Sequence, residues 1–253
     1  MDSTDRDLGN EPVVKAAGVL AWRRRAGGAN PSPIPVRLLL ALDGSIVSEV
    51  RRRHSVRDAA GPAGRFAIVK RGAGEPVGLL VPPGVGGPAL AVAIEEAAAL
   101  GARELISIGL AGRISAAVTQ GSVLLLDAAL PTDGTSAAYG AGPDPVHPDS
   151  DLSNEIAARL ERAGVAVGRT TSWTTDAVYR ETPARIRSAV GRGASVVEME
   201  AAGLFAVARA LEIRAAAVVV VADDVSDLTW RPPRDLAACR RSLVAVADAL
   251  LAP

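Results

Sequence analysis

Glu198 and Glu200, with Met199 between them, stand where an apolar run turns into a helix, in Val196-Val197-Glu198-Met199-Glu200-Ala201-Ala202-Gly203-Leu204-Phe205. Val196 and Val197 read as the end of a buried strand, and Ala201 to Leu211 carries apolar residues at helical spacing. The two acids therefore fall at the junction and in the first turn of the helix. Carboxylates held there are placed to accept hydroxyl or N–H donors. One acid in such a place needs no ligand, because it complements the helix dipole. Two acids flanking a thioether and followed by Ala-Ala-Gly read as a ligand site. Asp223 is a third candidate, at the end of the longest apolar run, residues 215–222, where its plainer role is to cap a following turn.

Short apolar runs alternate with helical patterns along the chain. Val36 to Leu42, Val77 to Val81, Glu104 to Ile108, Ser122 to Leu126, Ser195 to Val197 and Ala216 to Ala222 read as strands, several apolar on both faces as in a covered sheet. Between them, helices are expected over Pro88 to Leu100, Asp151 to Ala163 and Pro233 to Leu251, the first two stopped by Gly101 and Gly164. The alternation implies an α/β fold, a three-layer α/β/α arrangement around a central mixed, twisted sheet. Residues 1–35 read as an N-terminal tail and loop, with Met1 to Glu11 frayed and Ala26 to Pro35 a Gly/Pro-rich loop. Residues 36–253 read as one domain. In open α/β sheets ligands bind beyond the carboxyl ends of strands, and Asp43, Gly44, Gly84 to Gly87, Gly109 to Gly112 and Asp223 all fall there. Each glycine turn alone can be a backbone requirement without a ligand. Their coincidence with the acids points to one pocket.

Composition narrows the partners. Lys plus Arg and Asp plus Glu are 28 each in 253 residues, so no overall field draws the chain to nucleic acid or an anionic membrane. The run at 215–222 is far shorter than the roughly 20 residues of a membrane helix, and no signal core precedes it, so the cytoplasm is expected. A single cysteine, Cys239, excludes an internal disulfide and reads as a small core residue. His54 and His147 leave little material for a metal site. Arg23 to Arg25, Arg51 to Arg53 and His54 read as solvated faces.

The Val196–Phe205 segment and five others, in order, resemble the family that includes purine nucleoside phosphorylase, uridine phosphorylase and the methylthioadenosine nucleosidases. The five are Gly84-Val85-Gly86-Gly87-Pro88, Ile106-Ser107-Ile108-Gly109-Leu110-Ala111-Gly112, Asp133-Gly134-Thr135-Ser136, Trp173 to Thr182, and Val221-Ala222-Asp223-Asp224. The resemblance implies cleavage of the N-glycosidic bond of a nucleoside, with free base released and no organic cofactor, phosphate being the candidate co-substrate. Such cleavage builds positive charge on the sugar and negative charge on the base. By the same resemblance, Glu200 accepts the ribose hydroxyls with Met199 and Val85 beside the sugar. Glu198, Val178, Tyr179 and Gly112 line the base, and Asp223 is the acid at the leaving base. A homodimer or a homohexamer built as a trimer of dimers is the implied assembly.

The departures bear on the acceptor. Family phosphorylases hold phosphate with an arginine in a turn after the first strand and with Arg and Ser or Thr around the second glycine turn. Here Leu42-Asp43-Gly44-Ser45-Ile46 carries no arginine, and Ser107 and Leu110 stand at the other two positions. The candidate acceptor pocket is thus Asp43, Gly44, Gly86, Ser107, Gly109, Leu110 and Arg65, with Arg71 and Arg113 as other cations. A phosphate desolvated without charge-assisted donors is costly, which favours water over phosphate. Val178 replaces a stacking aromatic, and Thr182 and Ala184 do not supply the uracil-reading Gln and Arg, so a purine-like or modified base is expected. Three readings stay open: a phosphorylase with a rearranged phosphate site, a nucleosidase using water, and a non-catalytic or regulatory nucleoside binder.

Overall fold

A computed structural model describes residues 11–28 and 34–252. The frayed tail expected over Met1 to Glu11 lies almost wholly outside these residues, as does half of the Ala26–Pro35 loop. Between them the expectation of tail and loop is corrected: Ala16–Arg25 forms a helix, α1. Its Ala, Leu and Arg residues are good helix formers, and Arg23 reaches across to buried Glu96 at 2.7 Å.

The remaining elements are β1 (Arg37–Ala41), α2 (Ile46–Arg53), β2 (Ser55–Asp58), β3 (Arg65–Arg71), β4 (Gly74–Val81), α3 (Gly87–Ala99), β5 (Glu104–Arg113) and β6 (Val123–Pro131). They continue as α4 (Gly134–Ala138), α5 (Ser150–Arg162), β7 (Val167–Thr174), α6 (Pro183–Gly191), β8 (Ala194–Glu198), α7 (Ala201–Ala210), β9 (Arg214–Asp224) and α8 (Leu236–Leu251). All nine strands among the described residues join one mixed sheet in the order β2-β3-β4-β1-β5-β8-β7-β6-β9. Because β9 also pairs with β5, the last five strands close on themselves.

Successive residues of β1 show why the sheet is apolar on both faces. Leu38 and Leu40 pack with Leu90 and Ile94 of α3 and Leu204 and Phe205 of α7. Leu39 and Ala41 point the other way, into a second core with α2, α5 and α8, where Val50, Ile156 and Leu243 are fully buried. Helices on each side of the sheet make three layers. A smaller cluster around Trp173, Leu130 and Ile186 fills the closed end.

Three strands, β2, β3 and β7, escaped the sequence reading, as did α2, α4 and α6. Strands β2 and β3 lie at an edge; β2 has no buried residue, and the short apolar stretch of β3 is bounded by Arg65 and Lys70. In β7 the buried positions include Ser172 and Thr174, so the strand carries no apolar run. Helix α8 begins at Leu236 rather than Pro233, because the Asp235 carboxylate accepts Ala238 N–H at 2.8 Å and caps it there. The expected second glycine turn is also corrected. Residues 109–112 continue β5 without a turn, and their glycines permit close packing: a Cβ on Gly109 would meet Leu42, and one on Gly112 would meet Asp223 and Val197, each at about 3 Å.

Arg51 to Arg53 and His54 are not simply solvated. Arg53 and His54 both reach Asp248 on α8, each at 2.8 Å. Cys239 is buried and free, as expected. No helix among the described residues is long and apolar enough to cross a membrane.

Helices α3 and α7 cross with almost no spacing, Gly87 against Gly203 and Thr135. A Cβ on Gly87 would stand 2.7 Å from Thr135 Oγ1 and 2.8 Å from its Cβ. Gly87→Ala is therefore expected to destabilise the protein by roughly 1–3 kcal/mol, the usual cost of overpacking, read as a lower midpoint in chemical denaturation. An unchanged midpoint would mean that this crossing can spread freely.

Candidate active site

The edge of β5 changes partner along its length. Up to Ile108 it pairs in parallel with β1, and at Gly112 and Arg113 it pairs antiparallel with Val197 and Val196 of β8. Between the departure of β1 and the arrival of β8 the sheet forks, and a cleft of about 980 Å³ opens there. Into it project the turn after β1, the upper part of β5, the β8–α7 junction and the end of β9.

Glu198 ends β8, and Glu200 occupies the N-cap position of α7 without a side-chain cap bond. The Glu198 carboxylate is buried, and four donors converge on it. Ser172 and Thr174 hydroxyls donate to Oε1, the first at 3.1 Å. The backbone N–H groups of Glu200 and Ala201 donate to Oε2 at 2.8 and 2.6 Å. Thr174 in turn accepts the Ala202 N–H at 3.0 Å. Burial, then the neighbouring Glu200 charge, pushes the Glu198 carboxyl up to about 7 against these donors. Glu198 lines the cleft, but its oxygens are committed to the start of α7.

Glu200 is more available. Its Oε1 accepts the Gly86 N–H at 2.7 Å and its Oε2 only a long bond from Met199 N–H at 3.2 Å. Burial raises its pKa and these amides oppose the rise. Gly86 presents its N–H from a left-handed conformation, φ 85°, that a side chain would strain. The glycine loop and the acid thus hold one another across 114 positions of sequence.

At the far side, Asp223 is the penultimate residue of β9 and is half-buried. Its Oδ2 accepts the Trp230 indole N–H at 2.9 Å, and its Oδ1 lies over Gly112. Glu181, after a single 3₁₀ turn at Val178–Arg180, lines the same region. Burial, then the Asp223 charge, lifts its carboxyl to about 7. Val85, Val178 and Tyr179 stand exposed at the rim.

Asp43 forms the other end with Arg240, whose Nε donates to Oδ2 at 3.0 Å. Although burial opposes it, hydrogen bonds from Ser45 and Arg240 hold Asp43 below the usual carboxylate range. The Arg65 guanidinium packs on Gly44, 2.7 Å from where a Cβ would stand.

Asp43, Gly44, Val85, Leu110, Gly112, Val178, Tyr179, Glu198, Met199, Glu200 and Asp223 all line the cleft, with Gly86 and Arg65 directly behind Glu200 and Gly44. Ser107 and Gly109 lie farther off. Ser107 is buried in mid-strand between Leu40 and Ala217, and Gly109 packs on Leu42, because β5 runs straight through where a turn was expected. Arg113 is paired with Asp224 at 2.9 Å, and Arg71 donates to the carbonyls of Leu251 and Ala252, so neither reaches the cleft.

Sequence reasoning missed Arg240, Glu181 and Trp230. Arg240 sits beside Arg241 on a helix face with nothing local to distinguish it. Glu181 lay inside the quoted Trp173–Thr182 segment, and Trp230 was a lone aromatic in a polar loop. Among the described residues, no group of three or more His, Cys, Asp or Glu side chains is placed to hold a metal ion.

The sequence profile of the phosphorylase superfamily matches residues 41–252. Guanosine phosphorylase of Halorubrum lacusprofundi is 29% identical over 138 residues, 54% of this chain and 57% of that one. Uridine phosphorylase of Thermococcus kodakarensis is 32% identical over 151 residues, 54% of each chain. These matches thus span little more than half the length of either relative. Purine nucleoside phosphorylase from Toxoplasma gondii, solved with immucillin-H, superposes with a TM-score of 0.76 at 19% identity, over 87% of this chain and 91% of that one. That likeness is one of fold.

The Glu198 network generates a pH prediction. Folding favours its protonated form, so this contribution to stability is present in full below about pH 4.5 and is lost as pH rises through about 7. The difference between those two values corresponds to roughly 3 kcal/mol. Glu198→Gln can keep the hydrogen bonds, its amide donating to the hydroxyls and accepting from the backbone. Denaturation at pH 5 and pH 8 should show wild type losing up to about 3 kcal/mol more than the Gln variant. Glu198→Ala, which orphans four buried donors, should be less stable at both pH values. Parallel pH slopes for wild type and Gln would remove Glu198 as a titrating group.

Proposed function

This chain belongs to the phosphorylase superfamily, and we propose that it cleaves the N-glycosidic bond of a nucleoside with a purine-like base, transferring the sugar to phosphate. The observation that carries this reading is the arrangement of three chemistries around one cleft. A desolvated acceptor, Glu200, stands with Met199 and Val85; an acid, Asp223, stands with Gly112 and Val178; and two guanidinium groups stand at the turn after β1.

In this reading Glu200 accepts the ribose 2′- and 3′-hydroxyls with Oε2, which carries only the long Met199 bond, while Gly86 N–H fixes Oε1. Charge-assisted bonds of this kind hold the sugar where positive charge develops. Glu198 acts through Glu200 by holding the first turn of α7, and it does not read the base. Asp223 donates a proton or hydrogen bond to the departing base. Phosphate is held by Arg240, released from or shared with Asp43, and by Arg65, in place of the arginines that the loops lack. No organic cofactor enters. The exposed apolar rim, including Tyr179 at 97% and Val85 at 75%, supports a homo-oligomeric assembly, a homodimer or a trimer of dimers.

Water is the second reading for the acceptor, and Asp43 favours it. A carboxylate held ionised beside the cleft repels phosphate and can orient a water. The products decide between the two. A panel of nucleosides incubated with and without phosphate should release free base together with ribose 1-phosphate, in equal amounts and with saturable dependence on phosphate. Arg240→Met should raise the KM for phosphate by about 10- to 100-fold, the value of a charge-assisted hydrogen bond of roughly 1.5–3 kcal/mol. Free ribose as the sole sugar product, at a rate indifferent to phosphate and to Arg240, would establish hydrolysis instead.

Asp223→Asn separates catalysis from mere binding. As a general acid it should lower turnover by about 10²–10⁴-fold with the fold intact, and the loss should shrink for better leaving groups. Wild-type turnover on an ordinary purine nucleoside would leave Asp223 as a turn residue only.

A further inference from the structure

Resting on the reading that the sugar acceptor enters the cleft at the turn after β1, we propose that Asp43 is a specificity-determining residue: beside the Arg240 guanidinium it admits an oxyanion that carries a hydroxyl group, such as phosphate, and turns away one that carries none, such as sulfate.

The two side chains come from opposite ends of the chain and meet at one end of the cavity, which both of them line. Asp43 follows β1, and Arg240 stands near the start of α8. Their contact uses only part of what each offers. Among the described residues Arg240 gives its Nε alone, to Asp43 Oδ2 at 3.0 Å, which leaves the two terminal nitrogens of the guanidinium as donors. Asp43 Oδ2 takes that bond and Oδ1 takes one from Ser45 N–H at 2.9 Å. A carboxylate oxygen accepts about two, so capacity remains on Asp43 as well. A donor fork and an acceptor therefore stand side by side on the cavity wall.

Both groups bonded to the Asp43 carboxyl are donors, so it serves here as an acceptor only. Against the effect of burial, bonds from Ser45 and Arg240 hold it below the usual carboxylate range. The Arg65 guanidinium lies against Gly44, the next residue, so this end gathers two positive charges around one negative.

That combination does not match a bare anion. Oxygens without hydrogen are satisfied by donors alone, and a carboxylate beside them sets lone pairs against lone pairs in a half-buried place. A hydroxyl on the anion turns the same contact into a charge-assisted hydrogen bond. Its O–H donates to Asp43 while its other oxygens accept from the terminal nitrogens of Arg240. Phosphate near neutral pH carries such a hydroxyl in both of its forms. Sulfate, also tetrahedral and of similar size, carries none. An ion pair kept only for stability would treat the two anions alike.

The experiment is calorimetric titration of the full-length protein with inorganic phosphate, arsenate and sulfate, near neutral pH and at constant ionic strength, in wild type, Asp43→Asn and Asp43→Ala. Wild type should bind phosphate and arsenate about tenfold or more tighter than sulfate, the value of one charge-assisted bond gained against one contact left unpaired. Asp43→Asn, whose amide N–H donates to a bare oxygen, should bind sulfate about tenfold or more tighter than wild type does and lose the preference. Asp43→Ala should bind phosphate and sulfate alike. Equal wild-type affinity for the two anions overturns the proposal, as does binding of neither, and that comparison needs no variant to fold. A preference that survives in both variants overturns it too. Because these readouts are of binding, they are separable from catalysis. Selective phosphate binding by a chain that cleaves nucleosides with water, or not at all, would end the phosphorolysis reading and leave the selective site. Phosphorolysis that sulfate inhibits at the concentrations where phosphate saturates would end this proposal and leave that reading.

Discussion

A strand edge in a sheet can be hydrogen-bonded to one neighbour at a time, and β5 gives the same edge to two. Strand β1 holds it as far as Ile108, and β8 takes it at Gly112. The residues in between belong to neither, so the sheet must part there and the chain segments leaving it must turn away. The cleft is the consequence of that handover. Its walls are strand ends and strand-to-helix junctions, whose side chains are fixed by pairing on one side and free on the other. The opposite edge of β5 pairs with β9 along almost its whole length, which fixes Asp223 relative to Gly112. Closure of β5 through β9 therefore sets the distance across the site.

Within that frame, the acids divide into one that builds and others that remain available. Glu198 gathers two hydroxyls from β7 and two amides from α7, tying the closed part of the sheet to the helix that packs on its face. The cost is a buried carboxyl next to a second acid. Its raised pKa expresses that conflict. Because Glu198 supplies the capping interactions, Glu200 is released from them and can face the cavity. The glycine loop completes the arrangement, since Gly86 N–H fixes one oxygen of Glu200 and Gly87 lets α3 approach α7. One buried network thus orients the single acid proposed to meet the sugar.

The end of the cleft proposed to hold the acceptor is built from distant parts of the chain. Where an arginine would come from the loop after β1, Asp43 occupies that loop and a helix at the far end of the chain supplies Arg240. Arg65 comes from β3 and lies against Gly44. A cation therefore stands at this end although residues 42–46 carry none. The internal Asp43 partner means that an entering anion competes with a carboxylate for the same guanidinium.

The sequence by itself determined the α/β class, the strands apolar on both faces, the acids at the β8–α7 junction, and Asp223 at the end of β9. Each is written locally, in periodicity or in a polar residue that interrupts an apolar run. It did not determine β7, whose buried side chains are the hydroxyls that serve Glu198, nor β2 and β3, edge strands studded with Arg and Lys. It misplaced Ser107 and Gly109, because a glycine that permits close packing in a strand looks the same in sequence as one that makes a turn. It read both Glu198 and Glu200 as ligand residues, although four donors engage Glu198 and only two engage Glu200. Arg240, Glu181 and Trp230 became site residues only in three dimensions. A local pattern reports how a residue is buried by its own element. Which distant groups meet it is decided by the pairing of β5 with β1, β8 and β9, and those contacts span from about 70 to more than 100 positions of chain.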